Sequence, residues 1–241
     1  MLQAACVDGS AAEPVKVAYV YDGDTVRLTD GRRIRLIGIN APEIQKDGRA
    51  GEVFSAESHA ILRELLKRGD ISLRMGKEPQ DRYKRWLGHL YVGPLLVAEY
   101  MLEQGAAYHV AIPPNLLHSE CLQSVERSAA KGLRGVWGLG SSPWREVSSL
   151  KVGEGGFRLL QGRVTAAKKI KTGWIVEVDD LLALKLSERL SLHIGRSHME
   201  NLKGMKIRVR GWVRKKSANS PAHYQPWFMS VTHKMHIELA L

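Results

Sequence analysis

Four oxygen-bearing side chains stand close together in one short stretch, "VYDGDTVRLTDGRRIRLIGINAPE", Val20–Glu43. Asp22, Asp24 and Asn40 offer carboxylate and amide oxygens, which are the ligands that suit calcium or magnesium and not zinc. Glu43 follows Asn40 through a proline turn that can bring its carboxylate beside a bound cation as a general base. The stretch therefore predicts a site for a hard metal ion with a base next to it.

Two arginines extend this pattern toward a phosphate. Arg35 lies in the same stretch, and Arg85 lies in the later segment "DRYKRWLGHLY". Two guanidinium groups can hold phosphate oxygens bidentately, which lysine does less well. A cation, a base and such donors are together what phosphodiester hydrolysis requires. Taken singly, an Asp-Gly pair is usually only a turn, and arginines on a strand are usually solvated.

The elements that must position these residues are mostly strands. Val15–Tyr21, Thr25–Thr29 and Arg33–Ile39 carry strong β-formers, and "TDGR" is typical of a hairpin turn. Alternation along the hairpin places Arg33 and Arg35 on the face opposite the apolar residues. The helices and strands predicted next are Glu52–Lys67 (helix), Ile71–Arg74 and Arg85–Val92 (strands), and Leu95–Gln104 and Ser119–Lys131 (helices).

A Gly- and Ser-rich stretch, Gly138–Gly156, marks a domain boundary. The predicted divisions are a tail (1–14), a first domain (15–140), a linker (141–156) and a second domain (157–241). The second domain is predicted to contain strands at Phe157–Thr165, Gly173–Val178, Ala183–Leu186, Lys206–Arg214 and Trp227–Glu238, with a helix at Ser197–Leu202. Five strands with a helix before the fourth fit a small closed barrel of the OB type.

The positive charge of the chain is concentrated in its C-terminal part. Residues 1–150 contain 19 Lys and Arg against 18 Asp and Glu, whereas residues 151–241 contain 17 against 7, which accounts for almost all of the net +11. Such an excess favours an anionic partner, nucleic acid before membrane, over a merely soluble surface. There is no run of about 18 apolar residues that could span a membrane.

The segment "KIRVRGWVRKK" predicts a basic strand with an outward ring. By alternation, Ile207, Val209 and Val213 face the core; the opposite face carries Arg208, Arg210, Trp212 and Arg214. Charge for the backbone and a ring for stacking are what a single-stranded nucleic-acid platform needs. The alternative is a bulge at Gly211, which would return Trp212 to the core.

The order of motifs "DGDT", "IRLIGINAPE", "DRYKR", "AAYHVAIPPN" and "AKGLRGVWG" resembles the staphylococcal nuclease, or thermonuclease-like, family from about Val15 to Gly138. The resemblance implies an α+β chain that is mostly β: a five-stranded OB barrel with three helices, followed here by the second OB-like barrel. It also implies a calcium-dependent nuclease site. We therefore expect a phosphodiesterase that cuts DNA and, as a further substrate, RNA; the oxygen ligands make magnesium the second candidate ion.

Site residues are carried over from that resemblance motif by motif. The positions that match the family's metal site are Asp22, Asp24, Asn40 and Ala41, the last through its backbone carbonyl. The positions that match its phosphate arginines and its water-activating glutamate are Arg35, Arg85 and Glu43. The "DRYKR" residues expected to contact nucleic acid are Arg82, Tyr83 and Lys84, whereas Tyr108 does not align cleanly with the family's base-covering ring.

Two positions depart from the family pattern. Asn40 stands where many members have a second metal aspartate, so weaker metal binding is expected because affinity depends on ligand charge. Lys84 stands where a glycine is usual, which adds charge near the phosphate and disturbs a turn. The alternative function is a non-catalytic adaptor that binds nucleic acid or protein through a degenerate barrel, and dependence on metal distinguishes the two.

Cys6 and Cys121 are the two cysteines of the chain. The residues alone leave two readings, a disulfide or two separate buried thiols. The resemblance favours the disulfide, and with it an exported, periplasmic or secreted location for a chain whose start carries no intact signal peptide; a cytoplasmic location stays open. The expected partner is DNA or RNA, without an obligate protein partner.

Overall fold

The chain folds into two units. The structure, a computed structural model, describes residue 6 and residues 12–45, 48, 50–151, 154–195, 199–216 and 225–240. Its contacts separate Met1–Ser141 from Ser142–Leu241. Each unit has its own apolar core. No helix among the described residues is long and apolar enough to cross a bilayer.

The described residues of the first unit form a curved sheet and three helices. Its strands are β1 (Glu13–Val15), β2 (Val17–Val20), β3 (Thr25–Leu28), β4 (Arg33–Leu36), β5 (Ile39–Asn40), β6 (Ile71–Gln80), β7 (Trp86–Val92), β8 (Leu95–Leu96) and β9 (Tyr108–His109). Its helices are α1 (Ser55–Leu65), α2 (Val97–Glu103) and α3 (Ser119–Lys131), followed by a 3-10 turn at Gly135–Trp137.

The sheet of the first unit has the strand order β1-β6-β7-β4-β3-β2, in which β4 and β7 are parallel. Because β1 and β2 are consecutive and separated only by Lys16, one bent strand pairs with β6 at one end and with β3 at the other. This order, with α1 between the third and fourth barrel strands, is that of an OB barrel, so the predicted fold class is confirmed. The predicted tail (1–14) thus ends inside the sheet, since β1 begins at Glu13.

Alternating apolar residues explain the central hairpin. Val26 and Leu28 on β3 and Ile34 and Leu36 on β4 are all buried in the first core, as predicted. After β4 the chain turns at Gly38, whose φ of +89° suits glycine. A Cβ there would also lie 2.5 Å from the Leu122 side chain on α3. The turn therefore packs closely against α3 before β5 pairs with β9.

A disulfide joins Cys6 to Cys121 on α3, with the two Cα atoms 5.7 Å apart. The backbone N–H of Cys6 also donates to a carboxylate oxygen of Glu99 on α2, at 3.1 Å. Residue 6 is thus anchored to two helices of the first unit. Of the two readings that the residues leave open, the structure has the disulfide.

The second unit is a closed barrel. Its strands are β10 (Arg145–Glu146), β11 (Gly156–Ile170), β12 (Gly173–Val178), β13 (Leu182–Ser187), β14 (Lys206–Lys215), β15 (Trp227–Val231) and β16 (Ile237–Leu239). Its described helices are α4 (Glu188–Ile194) and 3-10 turns at Val147–Ser149 and Lys234–His236. The ring β11-β12-β13-β15-β14 closes through β11 and β14, with β13 and β15 parallel, which is again the OB order.

Two sequence expectations for this unit need correction, and one helix was missed. The predicted linker (141–156) contains β10 and the 3-10 turn, because Val147 is an apolar residue that packs into the second core. The predicted strand Trp227–Glu238 is two strands, since a 3-10 turn capped by the His233 side chain interrupts it. α4 was not predicted at all, although Ser187 caps its start by accepting from the Leu190 N–H.

The helix predicted at Ser197–Leu202 begins outside the described residues, which omit 196–198. Met199 and Glu200 are helical, and Met199 is buried in the second core. The exact boundaries of the tail, the two domains and the linker stay predictions.

Candidate active site

Asp24 is the central carboxylate of the site. It lies in the loop before β3 and is buried. Its Oδ1 accepts from the Thr25 hydroxyl at 2.9 Å, and its Oδ2 accepts from the Ala41 backbone N–H at 2.8 Å. Oδ2 also lies 3.0 Å from Nη2 of Arg35. Asp24 therefore ties the loop before β3 to the residue that follows β5.

Asp22 and Gly23 complete this loop. Oδ1 of Asp22 accepts from the Asp24 N–H at 3.0 Å, which holds the two carboxylates close together. A Cβ at Gly23 would overlap the Ser58 hydroxyl on α1, so only glycine lets the loop approach that helix. Burial, and next the charge of Asp24, raise the pKa of Asp22 to about 7. Two neighbouring carboxylates repel each other, and a cation bound between them would relieve that repulsion.

Arg35 is held by four acceptors beneath the turn between β4 and β5. Its Nη1 donates to the backbone carbonyls of Leu36 and Ile39, each at 2.7 Å. Its Nη2 donates to Oδ1 of Asn40 at 3.1 Å and pairs with Asp24. The side chain is directed away from the apolar core, as predicted from strand alternation, but it is only 9% exposed. It is a buried part of the site and not a solvated strand residue.

Asn40 and Ala41 add neutral oxygens next to Asp24. Asn40 ends β5, where it pairs with Tyr108 of β9. Its Nδ2 donates to the Ala41 carbonyl at 3.3 Å, while its Oδ1 accepts from Arg35. Both residues are buried. The amide oxygen of Asn40 and the carbonyl of Ala41 thus lie within one hydrogen-bonded group with Asp24.

Glu43 stands at the exposed rim of this group. Its backbone N–H donates to a carboxylate oxygen of Glu52 at 3.1 Å, and its carbonyl accepts from the Glu52 N–H at 2.8 Å, which fixes the segment before α1. The surrounding protein, and next the charge of Asp24, raise the pKa of Glu43, while Arg35 and Arg85 lower it. Glu43 therefore lies within electrostatic reach of both arginines and of Asp24.

Arg85 comes from the turn between β6 and β7. Its Nε pairs with Oδ2 of Asp81 at 2.8 Å, and its backbone N–H donates to Oδ1 of the same carboxylate. Asp81 also accepts from the Tyr83 N–H, so it organises the whole turn. Lys84 adopts a left-handed φ of +63°, which is the conformation that a glycine favours at this position. Asp81 was not among the predicted residues, although it stands at the start of the quoted "DRYKR".

Tyr83 projects from this turn and is 64% exposed. The Arg82 guanidinium lies 4.7 Å from its ring centroid, and Arg82 donates to the Tyr83 hydroxyl at 2.6 Å. Arg85 lies 5.6 Å from the same ring. The predicted contacts of "DRYKR" thus form one exposed basic and aromatic turn. Tyr108, in contrast, packs edge-on against Trp137, with centroids 5.5 Å apart.

No group of three or more His, Cys, Asp and Glu side chains converges on one point within the described ranges of the chain. A metal ion at this site would therefore rely on the carboxylate of Asp24, with Asp22 nearby, and on the oxygens of Asn40 and Ala41. All of these are hard ligands, so the donor set fits calcium or magnesium and does not fit zinc.

A second basic surface lies on the C-terminal unit, along β14. The pairing of β14 with β11 is continuous from Lys206 to Val213, so Gly211 makes no bulge there and the alternative register is wrong. Gly211 faces the core, where a Cβ would lie 3.0 Å from the sulfur of Met229. Trp212 therefore lies on the face opposite the core, edge-on to Phe157 at 5.2 Å.

The arginines of β14 are partly covered by a ring that sequence reasoning missed. Arg208 and Arg210 each lie 5.3 Å from the Trp144 ring, which comes from the segment predicted as a linker. Arg210 is buried, whereas Arg214 is exposed. The face thus carries Trp144 and Trp212 among arginines, and its exposed charge is smaller than alternation alone indicates. Trp174, by comparison, is buried in the core.

Comparisons with known proteins concern the first unit. Residues 33–138 match the family model described as staphylococcal nuclease homologue. The chain is 27% identical over 125 residues to the thermonuclease of Staphylococcus hyicus, and the aligned residues cover 51% of this chain and 74% of that protein. It is 27% identical over 128 residues to the thermonuclease of Staphylococcus intermedius, covering 52% and 76%. It is 29% identical over 126 residues to an uncharacterized endonuclease of Escherichia coli O157:H7, covering 51% and 75%.

Proposed function

We propose that this chain is a nuclease of the staphylococcal nuclease type, which hydrolyses phosphodiester bonds of DNA, and of RNA, with calcium as its metal ion. The match of residues 33–138 to the staphylococcal nuclease model and the similarity to thermonucleases support this proposal. One observation carries the proposal: Asp24, Arg35 and Asn40 meet in a single hydrogen-bonded group. Glu43 stands at the rim of that group, within reach of the charges of Arg35 and Arg85.

The residues present fit a hard divalent cation. Asp24, Asn40 and the Ala41 carbonyl would hold it, with Asp22 as an accessory acid. When bound, such a cation neutralises phosphate charge and polarises the reacting phosphorus–oxygen bond. With one fewer carboxylate than two aspartates would give, the site is expected to bind calcium weakly, since affinity follows the number of charged ligands. Magnesium, which has the same preference for oxygen ligands, is the second candidate.

Glu43 is the proposed general base. Its exposed position at the rim gives water access to the carboxylate, and its raised pKa improves its ability to take a proton near neutral pH. Arg85 lies in the turn that also presents Tyr83, so its guanidinium is available to a phosphate that approaches Glu43. These residues supply proton transfer and charge stabilisation.

Arg35 has little donor capacity left while it is bound as described. Its two Nη1 hydrogens go to backbone carbonyls, and its two Nη2 hydrogens go to Asp24 and Asn40. If Asp24 and Asn40 held a cation, their oxygens would be weaker acceptors for Nη2. The N–H groups of Nη2 could then donate to phosphate oxygens in a bidentate fashion.

The test is cleavage of single- and double-stranded DNA by the full chain with calcium, with magnesium and with chelator. We expect calcium-dependent cleavage that Glu43→Gln reduces by about 100-fold or more, the usual contribution of general base catalysis. Glu57→Gln is the matched control, because Glu57 is an exposed acid in the first turn of α1. Full activity of Glu43→Gln refutes its role, and DNA binding without cleavage at any calcium level supports the non-catalytic adaptor.

The C-terminal unit is proposed to assist substrate binding through the outer face of β14. The exposed Arg214 and the partly exposed Trp212 offer a backbone contact and a stacking ring, and Phe157 supports that ring. Trp212→Ala and Arg214→Gln should weaken binding of single-stranded DNA, and Arg214→Gln should also lower its salt dependence. Lys185→Gln, an exposed charge on β13, is the control. An unchanged affinity in both variants contradicts this role.

The proposed location is outside the cytoplasm, in the periplasm or the medium. The disulfide between Cys6 and Cys121 supports it, because such bonds persist mainly in oxidising compartments. Recovery of the chain with both thiols reduced from its native compartment would contradict this location.

A further inference from the structure

The outer face of the β2–β3–β4 hairpins carries a row of residues that the proposed reaction does not use. Strand pairing sets Tyr19 opposite Arg27, and Arg27 opposite Arg33. The neighbouring row, Val20 and Val26 with Ile34, is buried in the core. Tyr19, Arg27 and Arg33, named here the Tyr19 row, therefore lie side by side on the side of the sheet away from the core.

The Tyr19 row directly adjoins the candidate active site. Thr25, which bonds Asp24, pairs with Arg35 of that site. Arg27 and Arg33 each stand two residues further along the same strands, on the same face. Successive residues on one face of a strand are about 7 Å apart. A polymer held at Arg35 thus meets the Tyr19 row as its next contact in this direction.

Aromatic rings and guanidinium groups are interleaved on this face. The Arg33 guanidinium lies 4.5 Å from the centroid of the Tyr21 ring. Tyr19 packs edge-on against Tyr21, with centroids 5.0 Å apart, and is itself 53% exposed. Tyr21 thus contacts both Arg33 and Tyr19, while about half of the Tyr19 side chain stays exposed to a ligand.

The charges of the row are available as well. Arg27 and Arg33 are exposed and form no ion pair with any described residue. Arg32, by contrast, is engaged by Glu13 at 2.6 Å and by Asp30 at 2.7 Å. Two unneutralised arginines beside an open tyrosine combine backbone charge with a stacking surface, which is what single-stranded nucleic acid binding requires.

We infer that the Tyr19 row binds the single-stranded stretch that flanks the cleaved phosphodiester, with a base stacked on Tyr19 and phosphates at Arg27 and Arg33. The inference rests on the proposed nuclease function and deepens it. It makes the enzyme prefer a chain that extends beyond the scissile bond over a minimal substrate. Tyr19 and the two arginines act on substrate affinity and not on the chemical step.

The experiment compares two substrates on the full chain, a short single-stranded oligothymidylate and the thymidine dinucleotide with one phosphodiester. Tyr19→Ala should raise KM for the oligonucleotide about tenfold, the effect of losing one stacked base, and leave kcat unchanged. Arg27→Gln with Arg33→Gln should reduce the slope of log affinity against log salt by about 1.4, or about 0.7 for each lost phosphate contact. The dinucleotide, which is too short to reach the row, should be cleaved as before.

Two variants keep the result specific. Tyr19→Phe keeps the ring and should keep the oligonucleotide KM, and Arg127→Gln removes an exposed charge from α3 without touching the row. Circular dichroism and thermal unfolding identify variants that have lost the fold. The inference is overturned if Tyr19→Ala has equal effects on both substrates. It is also overturned if the oligonucleotide KM of Tyr19→Ala is no higher than that of the Arg127→Gln control.

Failure of the proposed function is recognised separately. If the wild type cleaves neither substrate, the nuclease proposal fails. The affinity of each variant for the oligothymidylate, measured by fluorescence anisotropy in the Glu43→Gln background, then decides the surface by itself. A loss confined to the Tyr19 row variants supports it, and unchanged affinity overturns it.

Discussion

Replacing His89 by phenylalanine should remove an acid-induced loss of stability from the first unit. His89 lies on β7 and is buried, and its Nδ1 has no hydrogen-bond partner among the described residues. The His118 ring packs edge-on against it at 5.3 Å. Burial, then the charges of His118 and Arg74, lower the pKa of His89 to about 3. The imidazole is therefore neutral in the folded protein at any pH well above 3.

The magnitude follows from the difference in pKa between the two states. The unfolded chain gives His89 an ordinary pKa of about 6.5, so it binds a proton well before the folded state does. Stability is therefore full above pH 6.5 and falls as the pH drops from there toward 3. At pH 5 the loss is about 2 kcal/mol, because RT ln(1 + 10^1.5) sets it and a folded pKa so far below 5 contributes almost nothing.

Hydrogen exchange resolved to single strands measures this effect in the full chain. The free energy of opening for β7 amides in the wild type should fall by about 2 kcal/mol more than in His89→Phe between pH 8 and pH 5. His236→Phe is the matched control: its pKa is also lowered to about 3, by burial first, but it lies in the second unit. The reasoning is refuted if the wild type and His89→Phe lose the same stability over this interval.

Three further predictions concern the site and its support. Lys84→Gly should stabilise the first unit by up to about 1 kcal/mol in chemical denaturation, since a left-handed lysine is strained. Lys84→Ala, which keeps the strain, should not. Cys6→Ala with Cys121→Ala should lower stability by about 2–5 kcal/mol, because the bond closes a separation of 115 residues; an unchanged denaturation midpoint contradicts this. Asn40→Asp should tighten calcium binding about tenfold or more in calorimetry through one added charged ligand, and weaker binding would show that position 40 is not a ligand.

The fold was predictable from local pattern. Alternating apolar residues fix the face of the β3–β4 hairpin, and the bounds of α3 agree with the predicted helix Ser119–Lys131. What local pattern could not give was long-range packing. The Gly-rich segment before Gly156 reads as a linker, yet Val147 finds a place in the second core and brings β10 into the sheet. Such a residue is indistinguishable in sequence from an ordinary loop valine.

The residue types of the site were predictable from the sequence, but the burial of their side chains was not. Arg35 was expected to point away from the core, and it does, but burial beneath the turn after β4 depends on carbonyls that no motif encodes. Arg210 was expected on an open surface, and Trp144 covers it because a distant segment returns across β14. In both cases alternation gives the direction of the side chain, whereas neighbours far along the chain decide its exposure.

The position of Asn40 gains a physical meaning from these contacts. With an amide at position 40, Nη2 of Arg35 pairs with one carboxylate, that of Asp24, and donates to the neutral amide oxygen, which is a weaker acceptor than a carboxylate. A second carboxylate there would hold the guanidinium more tightly in the absence of metal, and would also attract the metal more strongly. Under the proposed function, we therefore expect Asn40 to reduce both the affinity for a cation and the barrier to releasing Arg35 toward a phosphate. We therefore expect Asn40→Asp to lower the calcium concentration needed for half-maximal cleavage, and to change kcat at saturating calcium much less.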